Sequence, residues 1–434
     1  MWPFKLERTD ETLTAHGGLA LLAECNHGLG VCGLTDRYLP GPGSHRGYAP
    51  AVCGDRRILM RQAGGRRLED LRAVRRDAGL RRRLDRAVRP DPATRGDGRR
   101  RRGDPPTGPA GLVGLGPVRD GLPARLRRRD GHEPDPLDVE ATRIAGEQRD
   151  APWSDQGVRG SMPRRGLLFE PSRCLVDACR DGKVSPGAGH RAFYRACTAR
   201  LPVGKRLARY RADRASSQAE RINTLATEQL RGAITADQDV AVKAVLAGVP
   251  TEAWQEPEPG GGDQVAEAVH PMNQTKAACR LSLTRAARPQ PDLCAAAATP
   301  YADHVVASHG PAEEQPAQEG LGWHHHRGQA ENVHQELNTG FGMDQLPCGE
   351  AGAPAVFFRI GVRAYNLFIG CNRVACPAAG ASQTLATGRG RRVQGAGRLL
   401  RHAGRVVLRL VLAADALACG HTIRQRGGAL ALAT

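Results

Sequence analysis

The chain runs to 434 residues, enough for two or three domains, with only 4% aromatic residues and a formal net charge of +18 carried almost wholly by Arg. So basic a balance argues against a cationic partner and favours a polyanion, nucleic acid first. No apolar run approaches membrane-spanning length and no secretory signal follows Met1-Trp2-Pro3-Phe4-Lys5, so no membrane partner is expected.

Residues 12–39 alternate short apolar, helix-like runs with glycine, and Gly41-Pro42-Gly43 is turn material. Residues 58–84 read as two helices, the second amphipathic and basic with Leu68, Leu71, Val74 and Leu80 as its apolar positions. From Arg81 to Gly103, ten Arg stand against three Asp with almost no apolar residue. Such a run is either solvated or laid against phosphate, and both readings stand. Residues 111–116 have the wrong order for a phosphate-binding loop and read as a turn.

Past Pro134 the character changes. Residues 137–142 alternate apolar and acidic side chains, so a strand there presents Asp138 and Glu140 on one face. Residues 166–176 suit a hairpin. Residues 205–213 read as a strand ending on Asp213, followed by a helix through Ala219, Ile222, Leu225 and Leu230. A short strand at 233–235 and a helix at 240–246 complete an order that argues for an α/β core. Residues 255–320, broken by Pro-rich joints, read as an inserted β-leaning subdomain with strands at 279–283 and 304–307. Next comes a helix over 323–338, in which Arg327 and Glu331 lie one turn apart. A hydrophobic helix over 356–369 and a basic, apolar helix over 399–412 follow. The twelve Cys include no C-x-x-C pair; they read as reduced, scattered thiols in a cytoplasmic protein, with no zinc site expected.

Asp138 or Glu140 on a first strand, Asp213 at the end of a later one and Glu331 on a helix are carboxylates from three separate elements. Brought together, such oxygens hold hard divalent cations. Two such ions clamp the attacking and leaving oxygens of a phosphodiester in in-line displacement. Scattered surface acids are the competing reading. The run His324-His325-His326 is not a site by itself, because consecutive helix residues point in different directions.

Several motifs spread along the chain carry a resemblance. They include Leu13-Thr14-Ala15-His16-Gly17-Gly18, Gly64-Gly65-Arg66-Arg67-Leu68-Glu69-Asp70-Leu71, Arg211-Ala212-Asp213 and Ala236-Asp237-Gln238-Asp239. Further ones are Met272-Asn273-Gln274-Thr275-Lys276, Arg327-Gly328-Gln329-Ala330-Glu331-Asn332 and Gly340-Phe341-Gly342-Met343. Together they resemble the DDE transposases of bacterial insertion sequences, specifically the thirteen-eighty group, whose catalytic core is ribonuclease-H-like. The resemblance implies an α/β fold: a ribonuclease-H-like mixed sheet flanked by helices, with a β-rich insertion, a basic helical N-terminal region and a helical C-terminal region. It divides the chain into a DNA-binding region at 1–130, a catalytic core at 131–254 and 321–370 interrupted by the insertion at 255–320, and a basic helical region at 371–434.

By the same resemblance the family's first acid falls on Glu140, where the family has Asp, with Asp138 two residues earlier. Its second falls on Asp213. The third lies in a Tyr-x2-Arg-x3-Glu-x6-Lys motif that matches Arg327 and Glu331, with His324 in place of the Tyr and Asn338 in place of the Lys. The implied chemistry is metal-assisted phosphoryl transfer on DNA, with Glu140 or Asp138, Asp213 and Glu331 holding two Mg²⁺ or Mn²⁺ ions. Arg327 would contact DNA phosphate or orient Glu331. Arg327, Asn338 and the Arg99-Arg100-Arg101 run would meet DNA, both the element's terminal repeats and target DNA. A dimer on DNA, associated with the nucleoid, is the implied assembly. Glu140, Asn338 and Cys or Arg at positions where the family carries bulky apolar residues point to a degenerate copy. A non-catalytic DNA-binding remnant, or a poorly folded basic chain that binds nucleic acid without specificity, remain open beside the enzyme.

Overall fold

The computed structural model describes residues 7, 9–41, 49–77, 79, 115–116, 118, 136–146, 151–154, 157–169, 172–201, 204–214, 217, 219–257, 262–271, 278–287, 301–309, 316–346, 353–376, 383–403 and 405–432. Arg99, Arg100 and Arg101 fall outside this set, as does the whole arginine-rich run from Arg81 to Gly103. The chain separates into two compact units. One comprises 132–143 and 152–333; the other comprises 1–131, 144–151 and 334–434.

The first unit is a mixed α/β structure built on one eight-stranded sheet. Its strands are β1 (Leu137–Ala141), β2 (Arg164–Leu168), β3 (Arg173–Ala178), β4 (Arg209–Ala212), β5 (Arg231–Thr235), β6 (Asp263–His270), β7 (Cys279–Ala287) and β8 (Tyr301–His309). Their spatial order is β3-β2-β1-β4-β5-β8-β7-β6. β1, β2 and β3 pair antiparallel, whereas β1–β4 and β4–β5 are parallel. Parallel neighbours need a crossover. α1 (His190–Thr198) leads into β4, and α2 (Ala219–Thr227) leads from β4 into β5.

Alternation explains how these strands sit. On β1, Leu137 and Val139 point to a core that includes Phe193 and Tyr194 of α1, Tyr210 of β4 and Leu225 of α2. Each such aliphatic or aromatic side chain contributes about 1.5–3 kcal/mol on full burial. Gly166 on β2 makes this packing possible. A Cβ there would meet the Cys197 sulfur at 2.8 Å and Phe193 at 3.4 Å, so the missing side chain sets how closely α1 approaches the sheet. α3 (Val240–Gly248) follows β5, its N-terminus capped by the Asp239 carboxylate, which accepts from Val242 N–H at 2.9 Å.

The strands of 255–320 are not a separate subdomain. β8 pairs antiparallel with β5, and β7 and β6 extend the same sheet beyond it. A strand at Asp263–His270 joins the two expected there. The expected helix over 323–338 is also divided: α4 (Ala317–His325) ends at a turn on His326, α5 (Arg327–Gln335) begins at Arg327, and a π turn spans Glu336–Gly340.

In the second unit the helices Leu19–Gly28 and Pro50–Gln62 pack on Ala414–Leu432 and Ala353–Ala375 respectively, so N- and C-terminal regions share one body. Residues 399–412, expected as a helix, form instead a hairpin of Gly397–His402 with Arg405–Leu410, to which Leu13–Thr14 adds a third strand. The turn at Ala403, with φ of 47°, interrupts any helix, and the β-branched Val407 favours the extended chain. The thiols are not all reduced: Cys25 on one helix and Cys371 on another are joined in a disulfide, their Cα atoms 6.4 Å apart. No helix among the described residues is long and apolar enough to cross a membrane.

Candidate active site

The face of the sheet opposite Phe193 and Tyr210 carries the acids. Asp138 and Glu140 alternate out of β1 away from Leu137 and Val139, as the sequence pattern requires. Asp213 stands immediately after β4, half-buried, and Glu331 lies at the middle of α5.

Asp138 is fully engaged. Across the parallel β1–β4 pair it is the register partner of Arg211, whose guanidinium grips it in a two-pronged contact at 2.7 and 2.8 Å. Burial pushes the Asp138 carboxyl up to about 6, against the pull of Arg211. Arg211 also donates to the Trp323 carbonyl at 2.9 Å and lies 4.5 Å from the Phe169 ring centroid and 5.1 Å from that of Trp323. It thereby ties α4 to the sheet. The motif that contains Arg211 assigns it no role, although its position two residues before Asp213 on a strand signals a shared face.

Glu140 stands in a different setting. Arg327 donates to its Oε2 at 3.1 Å and, through its other terminal nitrogen, to Glu331 Oε1 four residues along α5. Arg327 is 15% exposed, Glu140 20% and Glu331 54%. Burial raises the Glu140 carboxyl; Arg327 draws it back down, while Asp213 and Glu331 push it up again. Glu140 thus lies within the electrostatic field of both other acids. Arg165, its register partner on β2, is a second neighbouring cation and donates to Thr142 Oγ1 at 3.3 Å. No motif or spacing in the sequence singles this arginine out.

His324 is buried on α4, with Nε2 3.3 Å from Thr235 Oγ1, and burial drives its imidazole down to about 3. It is neutral at physiological pH. His325 and His326 are exposed, so the histidine run does point in different directions. Asn338 belongs to the other unit, on the π turn.

Among the described residues no three His, Cys, Asp or Glu side chains are grouped so as to hold a metal ion. The carboxylate oxygens are the right donors for Mg²⁺ or Mn²⁺, but the arrangement does not fit one. Asp138 is taken by Arg211, and the Arg327 guanidinium fills the place between Glu140 and Glu331.

No family model matches the chain, and no curated protein matches it. Among solved structures, a piggyBac transposase in a synaptic complex with hairpin DNA is similar over 58% of this chain and 51% of that one, with 10% identity and a TM-score of 0.36. The chain therefore spans about half the length of that neighbour, and so slight a likeness carries no argument about what this chain does.

Proposed function

We propose that this chain is a DNA-strand-processing protein of the DDE transposase type, with Glu140, Asp213 and Glu331 as its acids and Arg327 as their basic partner. One observation carries the reading. Residues far apart in sequence meet: Arg327 of α5 donates to Glu140 of β1 at 3.1 Å and also to Glu331, and the charge of Asp213 at the end of β4 acts on the Glu140 carboxyl. The mixed sheet with helices before and after β4 supports the ribonuclease-H-like expectation, and the formal charge of +18 suits a DNA partner. In this reading Arg327 is the group that trades a carboxylate for a DNA phosphate, a role its planar fork suits. A second reading, a protein that occupies terminal-repeat DNA without cutting it, is favoured by the ion pairs that tie Arg327 to Glu140 and Glu331.

The test uses duplex DNA from the regions flanking the chain's own coding sequence, with scrambled duplex as control. Binding should weaken steeply with salt, as contacts to phosphate do. Nicking in Mg²⁺ or Mn²⁺ should vanish in Glu140→Gln, Asp213→Asn and Glu331→Gln. Binding without nicking, in the parent and in Arg327→Gln alike, leaves the second reading; absence of binding overturns both.

A further inference from the structure

In the second unit the helices Leu19–Gly28, Ala353–Ala375 and Ala414–Leu432 pack on one another, and the Cys25–Cys371 bond joins the first two. Two further cysteines lie where the second and third meet. Cys376 directly follows Ala375, its N–H donating to the Asn372 carbonyl at 2.8 Å, so the last helical turn fixes its place. Cys419 stands beside Gly420, where a Cβ would meet Leu21 of the first helix at 2.9 Å, so the missing side chain lets the third helix approach closely. Both are free thiols, 5% and 6% exposed, and they hydrogen-bond to each other. We infer that Cys376 and Cys419 form a peroxide-reactive dithiol, which closes into a second disulfide and ties the third helix to the end of the second.

The two sulfurs are not equivalent. The hydrogen bond from Cys376 draws the Cys419 thiol down, burial pushes it back up, and Arg392 draws it down again, leaving it at about 7. The same hydrogen bond and burial raise the Cys376 thiol, against the pull of Arg392 and Arg426. Arg392 is buried at the end of the helix Leu385–Arg392; its Nη1 donates to Gln383 Oε1 at 2.8 Å, while its Nη2 has no hydrogen-bond partner among the described residues. That charge acts on both sulfurs and favours the thiolate, and Asp415 is the acid that opposes it at Cys419. Other buried thiols lack such a setting. Burial and the Asp55 carboxylate push Cys32 up to about 12, and burial pushes Cys279 up to about 11. In the first step the Cys419 thiolate attacks one oxygen of hydrogen peroxide; the O–O bond breaks, leaving a sulfenic acid and a hydroxide that takes up a proton as water. In the second, the Cys376 sulfur attacks the Cys419 sulfur; the S–S bond forms, the S–O bond breaks, and the departing hydroxide leaves as water with the Cys376 proton. One peroxide and two thiols thus become one disulfide and two waters.

The experiment treats the folded full chain with hydrogen peroxide, quenches it with an alkylating reagent, and maps the digest without reduction by mass spectrometry. A peptide pair linked through Cys376 and Cys419 should appear about ten-fold faster than Cys32 or Cys279 loses its thiol. In Cys376→Ser the sulfenic acid on Cys419 has no thiol to meet and should be captured by dimedone. In Cys419→Ser, Cys376 should resist the same peroxide, and Arg392→Gln should slow the linkage. Circular dichroism shows which variants fold, and the peptide map of the parent tests the inference without any of them. Absence of the linked pair from the folded parent, its appearance only after urea has unfolded the chain, or prior oxidation of Cys32 or Cys279 overturns the dithiol.

Discussion

Two buried imidazoles make the first unit sensitive to acid. His190 is 2% exposed at the start of α1, with Nε2 3.3 Å from the Tyr210 hydroxyl. Burial, reinforced by the positive charges of Arg221 and Arg164, drives its imidazole from 6.5 down to about 2. The folded state therefore refuses a proton that the unfolded chain accepts. For a base whose pKa falls on folding, stability is full above the unfolded value and is lost as pH drops below about 6.5. Between about pH 7 and pH 5 this one residue should cost the protein about 2 kcal/mol. His190→Gln keeps a polar group beside Tyr210 and has no proton to gain. Its urea midpoint should fall less than the parent's between those two pH values, and equal losses would place the acid sensitivity elsewhere. His324, driven down to about 3, adds a second contribution of the same sign from the candidate site.

At the level of elements, the contact of α1 with the sheet depends on one missing side chain. Gly166→Ala would put its methyl 2.8 Å from the Cys197 sulfur, so overpacking should cost about 1–3 kcal/mol. Cys197→Ala makes room, and the double variant should recover most of the loss in urea unfolding. Additive losses would show that Phe193 or Leu137, each at 3.4 Å, is the obstacle instead. The alternation that places Leu137 and Val139 beneath α1 also points Asp138 and Glu140 the other way, which is why β1 and its acids are legible in the sequence. β6 is less so, because its inward positions Ala266 and Ala268 are small and its outward Val269 is 71% exposed, leaving little contrast in hydropathy. The Gly397–Leu410 hairpin reads as a helix in the sequence because paired leucines and valines satisfy a helical stripe as readily as two short strands. At the candidate site, motif and spacing indicate Glu140, Asp213, Arg327 and Glu331. They do not indicate that Arg211 takes Asp138, since that contact is a matter of strand register and not of spacing.

Over the whole molecule, charge and cross-linking both depart from what composition suggests. Arg61, Arg164, Arg165, Arg173, Arg211 and Arg221 are fully buried, so part of the basic excess lies inside and is not displayed to DNA. Arg61, for example, donates to the Phe341 and Phe357 carbonyls and lies 4.0 Å from the Phe357 ring centroid. The disulfide is the stronger departure. Cys25 and Cys371 are 346 residues apart in sequence, yet both belong to the second unit, and their bond closes a loop containing the entire first unit. Reduction should therefore destabilise the second unit by about 2–5 kcal/mol. The first unit, which contains neither sulfur, should be spared. The two can be read separately in a Trp2→Phe background, where the remaining Trp153, Trp254 and Trp323 all belong to the first unit, while the described part of the second is mainly helical. With a thiol reductant, or in Cys25→Ser/Cys371→Ser, the far-ultraviolet ellipticity transition should move to lower urea while the tryptophan fluorescence transition stays in place. If both move together, the units unfold as one cooperative body; if neither moves, the bond adds nothing to stability.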